Sequence, residues 1–411
     1  MQNVNSSTHW PSMLTFITCL IGAILMLSLG GLLIFSGLMT LIDKGYEVAL
    51  SALMMAVNTL FMALLLVPGA YLSYKRMSGI ATNPGIQRPW LRWTTLGMVF
   101  IWPLSLASGY WAINNLQRGW LLMPFVNLLA SGLPIAFFTA IALNHVEVGP
   151  RWRVWSVFGL GMTIGPLLLI IAEVILFSLL FALLLLYVGL TPGMLTAIQQ
   201  LGSQLESAID EEGFLRLLEP ILTHPSTLLG TLFALAVGVP IIEELLKPIG
   251  VWLFADYILS PSEGFALGAL SGAAYALFET LGASTQFGTE WASLVVGRSG
   301  TSLLHILTTG LTSWALVSAW REHKYLRLAG IFTLSVLLHA IWNSISVLNA
   351  FGWLMDSVPG SPEWLSGAAH SAIYALGIQA GMMFALLGLV KRRLTTRPPT
   401  GPQNETGINQ V

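Results

Sequence analysis

The sequence predicts an all-α protein, a polytopic transmembrane helical bundle of about ten spans. Of its 411 residues, 55% are hydrophobic and only 9% are charged, whereas soluble domains carry about 25% charged residues. A helix needs about 20 apolar residues to cross a bilayer. Ten apolar runs are long enough: 13–42, 47–73, 93–115, 119–145, 154–189, 227–258, 263–283, 299–320, 327–349 and 367–390.

The first five runs form an N-terminal block, residues 1–189. The first run is about 30 residues long, which exceeds the apolar region of a signal peptide, so we expect a retained helix. The fifth run, 154–189, would measure about 54 Å as a single helix. It is either one long projecting helix, kinked at Pro166, or two shorter passes.

Residues 190–226 are the one sizeable segment that is too polar to span. Apolar residues recur there at helical spacing, and five carboxylates make it acidic. We interpret it as a non-spanning amphipathic segment, either an interfacial linker or a lid. Residues 227–390 then form a core of about five spans, and residues 391–411 form a basic, disordered cytoplasmic tail.

Charge and cysteine content narrow the functional classes. The net charge of −1 gives no sign of nucleic-acid binding, and the single cysteine, Cys19, excludes an intrachain disulfide or a thiolate cluster. Lys and Arg are concentrated in the loops that follow even-numbered spans. Because basic loops stay on the cytoplasmic side, we expect an integral protein of the plasma membrane with both termini in the cytoplasm.

The core block carries ionisable residues inside predicted spans, where a charge costs at least a few kcal/mol and usually serves a function. Glu243 and Lys247 are four residues apart and share a helix face. A structural ion pair would account for these two residues but not for the adjacent Glu244. Neighbouring carboxylates repel each other in low dielectric, which favours retention of a proton and suits one of them to general-base catalysis.

Glu279 follows a helix-packing pattern in the seventh span. Gly264, Gly268 and Gly272 are spaced by four residues, as in helices that approach each other closely. Glu279 lies nearly two turns after Gly272 and on the same face. We therefore expect it against a neighbouring span, either as a site residue or as a protonated packing residue.

The eighth and ninth spans add two histidines. His305 lies on a polar helix face with Thr309, and His339 shares a face with Asn343 four residues later. Such faces look into a bundle or a wet cavity. A lone membrane histidine is usually a packing residue, but two of them beside three carboxylates favour a site. Glu173, in the fifth run, has no motif around it and is interpreted as structural or accessory.

At these residues the chain resembles the PrsW family of intramembrane proteases, which are related to CAAX prenyl endopeptidases and bacteriocin-processing membrane proteases. The resemblance rests on four motifs in order: Glu-Glu-x-x-Lys at 243–247, a Gly-rich span ending at Glu279, a solitary His305, and His-x-x-Trp-Asn at 339–343. It covers roughly residues 225–350. Familiar zinc-protease, serine and cysteine signatures are missing from the sequence.

The resemblance implies an endopeptidase that hydrolyses membrane-anchored protein or peptide substrates in the bilayer. The implied catalytic residues are Glu243, Glu244, Glu279, His305, His339 and Asn343. Glu243 would activate water with support from Glu244, and His339 with Asn343 would polarise the scissile carbonyl or stabilise its oxyanion. The remaining two would complete the polar pocket. Thr280 stands where the family often has Asn, which weakens any role assigned at that position.

The supporting residues implied for this site are Lys247 and Thr309. Family members are described both as metalloproteases and as metal-independent glutamate proteases. No metal is favoured here, because the close ligand spacing of a helical zinc site is missing. If zinc were bound, its candidate ligands would be Glu243, Glu279, His305 and His339.

Two other functions would use the same residues. A proton- or cation-coupled transporter places carboxylates and histidines in its relay, although no second copy of the 243–247 pattern suggests the internal repeat that many transporters have. A catalytically inactive membrane scaffold would keep the fold without the reaction.

Overall fold

The protein is helical throughout the part that its structure, a computed structural model, describes. The described residues are 9–80, 91–190, 232–285, 290–356 and 363–395, with isolated positions between 193 and 230 and at 288. Within these residues, eight helical segments are long and apolar enough to span a membrane. With α3 and an interrupted helical segment after residue 232, the bundle has about ten spans. This confirms the predicted all-α transmembrane bundle.

The helices follow the predicted apolar runs. The N-terminal helices are α1 (Trp10–Lys44), α2 (Tyr46–Met77), α3 (Leu91–Asn114), the short α4 (Leu116–Gly119), α5 (Met123–Leu143), α6 (Arg151–Met162) and α7 (Ile164–Leu190). The C-terminal helices are α8 (Val239–Leu246), α9 (Ile249–Leu253), α10 (Pro261–Ala283), α11 (Trp291–Glu322), α12 (Tyr325–Asp356) and α13 (Glu363–Thr395). Most of the predicted acidic segment 190–226, and residues 396–411 of the predicted tail, lie outside the described residues. The positions of the termini relative to the membrane stay predictions.

Helices α10 and α11 form the centre of the bundle. Their most apolar stretches are 89% and 94% buried, against 6% for the most apolar stretch within residues 151–187 and 17% for that in α12. α10 packs on α11, α5 and α6, while α11 also contacts α12 and α13. The outer helices therefore present apolar side chains to lipid, and α11 holds more of the buried polar residues than any other helix in the described part of the chain.

The glycine pattern of α10 sets the close approach of the central pair. A Cβ atom at Gly264 would lie 3.0 Å from the carbonyl oxygen of Ser313, and a Cβ atom at Gly272 would overlap the carbonyl oxygen of His305. The backbones of α10 and α11 thus touch without intervening side chains, as the sequence pattern predicts.

We expect Gly272→Ala to destabilise the protein by about 1–3 kcal/mol, because overpacking against a backbone atom forces the two helices apart. Gly282 on the same helix has open space around its Cβ position. Gly282→Ala is therefore a matched control, which should be neutral or stabilising by up to about 1 kcal/mol from helix propensity. Unfolding of the purified variants in denaturing detergent measures both. Equal stability of the two variants would contradict the close packing.

The oversized fifth run is two helices joined at Thr163. Pro166 has no N–H to donate to the carbonyl of Met162, and a proline ring crowds the carbonyl four residues before it, so α6 ends at Met162 and α7 begins at Ile164. The break lies at Thr163 and not at the proline itself. Residues 151–187 count as one candidate span, and most side chains of α7 are exposed on its surface.

The predicted run 227–258 is interrupted twice. A π-helical turn, Phe233–Gly238, precedes α8, and a turn at Lys247 and Pro248 separates α8 from α9. Prolines at 240 and 248 lack the N–H that a continuous helix requires. The hydroxyl of Ser271 donates to the freed carbonyl oxygen of Lys247 at 2.6 Å. This break places the Glu-Glu-x-x-Lys motif against the central helices.

Candidate active site

The catalytic candidates come from four helices and meet around one cavity of about 540 Å³. Five of them line it: Glu243, Glu279, His305, His339 and Asn343. The sixth, Glu244, lies behind them and is fully buried. α8, α10, α11 and α12 therefore bring into one place residues that are up to about a hundred positions apart in the chain.

A single ammonium group lies at the centre of the cluster. Lys247 Nζ is 2.6 Å from Glu243 Oε2 and 3.1 Å from Glu244 Oε1. It is also 2.6 Å from His305 Nδ1. The Glu243 contact is an ion pair without hydrogen-bond geometry, and its Oε2 has no hydrogen-bond partner among the described residues. The ion pair predicted for Glu243 thus includes both glutamates.

Each imidazole is held by a carboxylate on one ring nitrogen. His305 Nε2 lies 2.8 Å from Glu279 Oε2, and His339 Nδ1 lies 2.9 Å from Glu244 Oε1. The other two ring nitrogens point towards Glu243 Oε2, at 4.0 Å for His305 Nδ1 and 3.7 Å for His339 Nε2. Both rings are thereby fixed in orientation around one carboxylate oxygen.

This arrangement contains the donor set of a metal site. Glu243, His305 and His339 each offer one ligand atom, and the three atoms lie within 4.8 Å of one another. Two imidazoles and a carboxylate are ligands that catalytic zinc sites use. A carboxylate on the far nitrogen of each imidazole is the usual outer partner of a metal-bound histidine. Glu279, also considered a ligand from the sequence, is outside this group of three and contacts the far nitrogen of His305.

Arg298 belongs to the site, although the sequence placed it in a loop outside the membrane. Helix α11 begins at Trp291, eight residues before the predicted start of the span, so Arg298 lies within the helix. Its guanidinium contacts both oxygens of Glu279, at 2.9 Å and 2.7 Å. Such two-pronged pairs fix geometry as well as charge. Its spacing of seven residues from His305, two helical turns, is the signal that could have revealed it.

Asn343 lines the cavity and also braces the interrupted helix. Its Nδ2 donates to the carbonyl oxygen of Leu235 at 2.9 Å, an oxygen in the π-helical turn before α8. An amide nitrogen carries two protons, so one N–H remains for another acceptor.

The threonine that reaches the cluster is Thr308. Its hydroxyl donates to Glu244 Oε1 at 3.0 Å. Thr309, the supporting candidate from the sequence, packs 3.0 Å from the Cβ position of Gly272, and its hydroxyl has no hydrogen-bond partner among the described residues. Adjacent residues on a helix differ by about 100° in direction, so only one of the two can face α8.

Two further residues complete the cavity wall. Tyr275, on α10, lies with its ring 5.0 Å from the ammonium of Lys247, within the range of a cation–π contact. Glu173 projects from α7 and is partly buried. The sequence offered no motif for either residue, because their significance depends on which helices become neighbours.

Comparison with known proteins gives one match. The model of a family described as PrsW family intramembrane metalloprotease matches residues 149–374. No curated protein and no solved structure matches the chain. The matched range runs from just before α6 into α13, so it contains every residue that lines the cavity.

Proposed function

Because the chain belongs to the PrsW family of intramembrane metalloproteases, we propose that it hydrolyses peptide bonds of membrane-anchored protein or peptide substrates through a water that Glu243 activates. The observation that supports this most directly is the surroundings of Glu243 Oε2. Glu243 lines the cavity, and its Oε2 has two imidazole nitrogens within 4.0 Å. Lys247 Nζ lies 2.6 Å from the same oxygen, without the geometry of a hydrogen bond.

The hydrogen-bond partners favour one tautomer for each histidine. Glu244 accepts a hydrogen bond from His339 Nδ1. The lone pair of His339 Nε2 then faces Glu243 and can accept a hydrogen bond from the water that Glu243 activates. Glu279 accepts from His305 Nε2, and the ammonium of Lys247 donates to Nδ1. A neutral imidazole carries one proton, so His339 orients the water in this state and does not donate to an oxyanion.

In the proposed reaction, Glu243 takes a proton as the water oxygen bonds to the scissile carbonyl carbon. The negative charge then moves to the carbonyl oxygen, and the free N–H of Asn343 is the donor proposed to stabilise it. As the carbon–nitrogen bond breaks, Glu243 returns the proton to the leaving amine. Glu244 and Glu279 do not react. They hold the two imidazoles in position.

The same side chains are of the types that bind zinc, namely one carboxylate and two imidazoles. Glu243, His305 and His339 would hold it, and zinc would supply a Lewis acid that polarises the carbonyl and makes a bound water acidic. The ammonium of Lys247 lies 2.6 Å from both Glu243 Oε2 and His305 Nδ1. It thus occupies the position of a cation between these two ligands, and a metal would have to displace it.

We expect proteolysis to survive metal removal, because the buried ammonium of Lys247 already pairs with Glu243, the one carboxylate that would hold a metal. The purified protein is treated with a strong chelator, its zinc content is measured by mass spectrometry, and cleavage is assayed before and after zinc is added back. Stoichiometric zinc, with activity lost on chelation and restored by zinc, would establish the metal-dependent reaction instead.

The proposed activity is tested on membrane-protein termini. Cells that express the wild-type chain and cells that express Glu243→Gln are compared for new protein termini within or beside transmembrane segments. Termini that appear only with the wild type support proteolysis. Identical sets, together with proton-coupled flux in liposomes of the purified protein, would favour the transporter. The family match favours the protease.

A further inference from the structure

Glu173 is a carboxylate on a helix that otherwise faces lipid. Its neighbours Ile171, Val174 and Ile175 are about half exposed on the bundle surface, while Glu173 turns inward and lines the catalytic cavity. A charge in the hydrocarbon region costs at least a few kcal/mol and calls for a partner.

The protein itself provides no such partner among the residues that the structure describes. The ammonium of Lys247 is shared by the two glutamates of α8, and the guanidinium of Arg298 is held by both oxygens of Glu279. Glu173 makes no hydrogen bond or ion pair in the described part of the chain. It is also outside the group of three residues whose ligand atoms converge.

The surroundings of Glu173 suit a long side chain with a terminal charge. The nearby wall is formed by apolar side chains of α7 and α10: Leu169, Ile170, Phe177 and Phe278. Lys and Arg bury their methylene stems on apolar surface and present the cation at the end. Glu173 and Glu243 line the same cavity, so a peptide bound at Glu243 shares that cavity with Glu173.

We propose that Glu173 is a specificity subsite that pairs with a Lys or Arg side chain of the substrate, at one fixed position near the scissile bond. This inference rests on the proposed proteolytic function and adds to it the class of sequence that is cleaved: a membrane segment or its edge with one basic residue. The ion pair forms in a low-dielectric cavity, where a hydrogen bond to a charged group contributes about 1.5–3 kcal/mol.

The test uses sets of synthetic transmembrane peptides. Within a set, the peptides differ only in carrying Lys, Gln or Glu at one position, and each set varies a different position of the sequence. Purified full-length protein in lipid nanodiscs is expected to cleave one Lys peptide about 10-fold or more faster than its Gln counterpart. Glu173→Gln should bring that ratio close to one. Glu173→Lys should reverse it in favour of the Glu peptide, and Glu173→Asp should retain a basic preference.

Glu47→Gln is the matched control, since it removes an exposed carboxylate at the start of α2, far along the chain from the cavity residues. It should keep the wild-type ratio. Affinity of the Lys and Gln peptides for Glu243→Gln, with and without Glu173→Gln, measures the same preference without catalysis.

Cleavage by the wild type without any preference for Lys, or a preference that persists in Glu173→Gln, would overturn the subsite and leave the proteolytic function standing. Absence of cleavage of every peptide by the wild type, with no affinity for any of them, would instead contradict the proposed function and the subsite together.

Discussion

Replacement of Glu243 by Gln is expected to lower proteolysis by about 10²–10⁴-fold, the usual cost of losing a general base. The amide keeps the shape of the side chain and still offers an oxygen to Lys247, so the protein should fold and insert normally. Cleavage by the purified variant in nanodiscs is measured beside the wild type, with an unfolding curve for each protein.

Glu47→Gln serves as the control for loss of one carboxylate outside the cavity and should retain wild-type activity. Near-normal proteolysis by Glu243→Gln would show that the base is another residue, and Glu244→Gln would then be the variant to examine.

The neighbouring glutamate, Glu244, is expected to behave differently. Glu244→Leu should lower the free energy of unfolding by about 3–5 kcal/mol. Glu244 is fully buried and accepts from three side chains: Lys247, Thr308 and His339. Its removal leaves the Thr308 hydroxyl and the His339 Nδ1–H buried without this acceptor, at about 1–3 kcal/mol each, while Lys247 keeps its contact with Glu243. Unfolding in denaturing detergent, followed by circular dichroism, measures the difference.

Thr308→Val provides a graded control, because it removes only one neutral donor to Glu244 and should cost about 1 kcal/mol. If Glu244→Leu unfolded together with the wild type and lost only activity, Glu244 would be a reacting group and not a support. These variants thus distinguish the role proposed for Glu243, activation of water, from that proposed for Glu244, stabilisation of the cluster.

The sequence alone determined the class of the protein and named most of the ionisable residues that meet at the cavity. Apolar runs of bilayer length predicted the transmembrane bundle, and the cost of charge in lipid drew attention to Glu243, Glu279, His305 and His339. Relations within one helix were also predictable, since a spacing of four residues places side chains on one face. The glycine series of α10 and the pair of Glu243 with Lys247 are of this kind.

Breaks in the helices were harder to place from the sequence. The fifth run was expected to be one long helix, kinked at Pro166, or two shorter passes. It is two helices that separate at Thr163, because a proline disturbs the carbonyl of the turn before it. The run 227–258 contains two interruptions that an apolar profile does not show. Hydropathy measures how apolar a segment is. It does not show whether the backbone hydrogen bonds of the helix continue through that segment.

Contacts between helices were decided by the tertiary structure alone. Helical periodicity fixes the angles between side chains of one helix, but neither the rotation of that helix about its axis nor the identity of its neighbours. The close packing of α10 on α11 sets that rotation, and it turns Thr308 towards Glu244 and Thr309 towards Gly272. It also brings Arg298 onto Glu279. The local pattern of the chain could name the ionisable residues of this site, whereas their partners follow from how the helices pack.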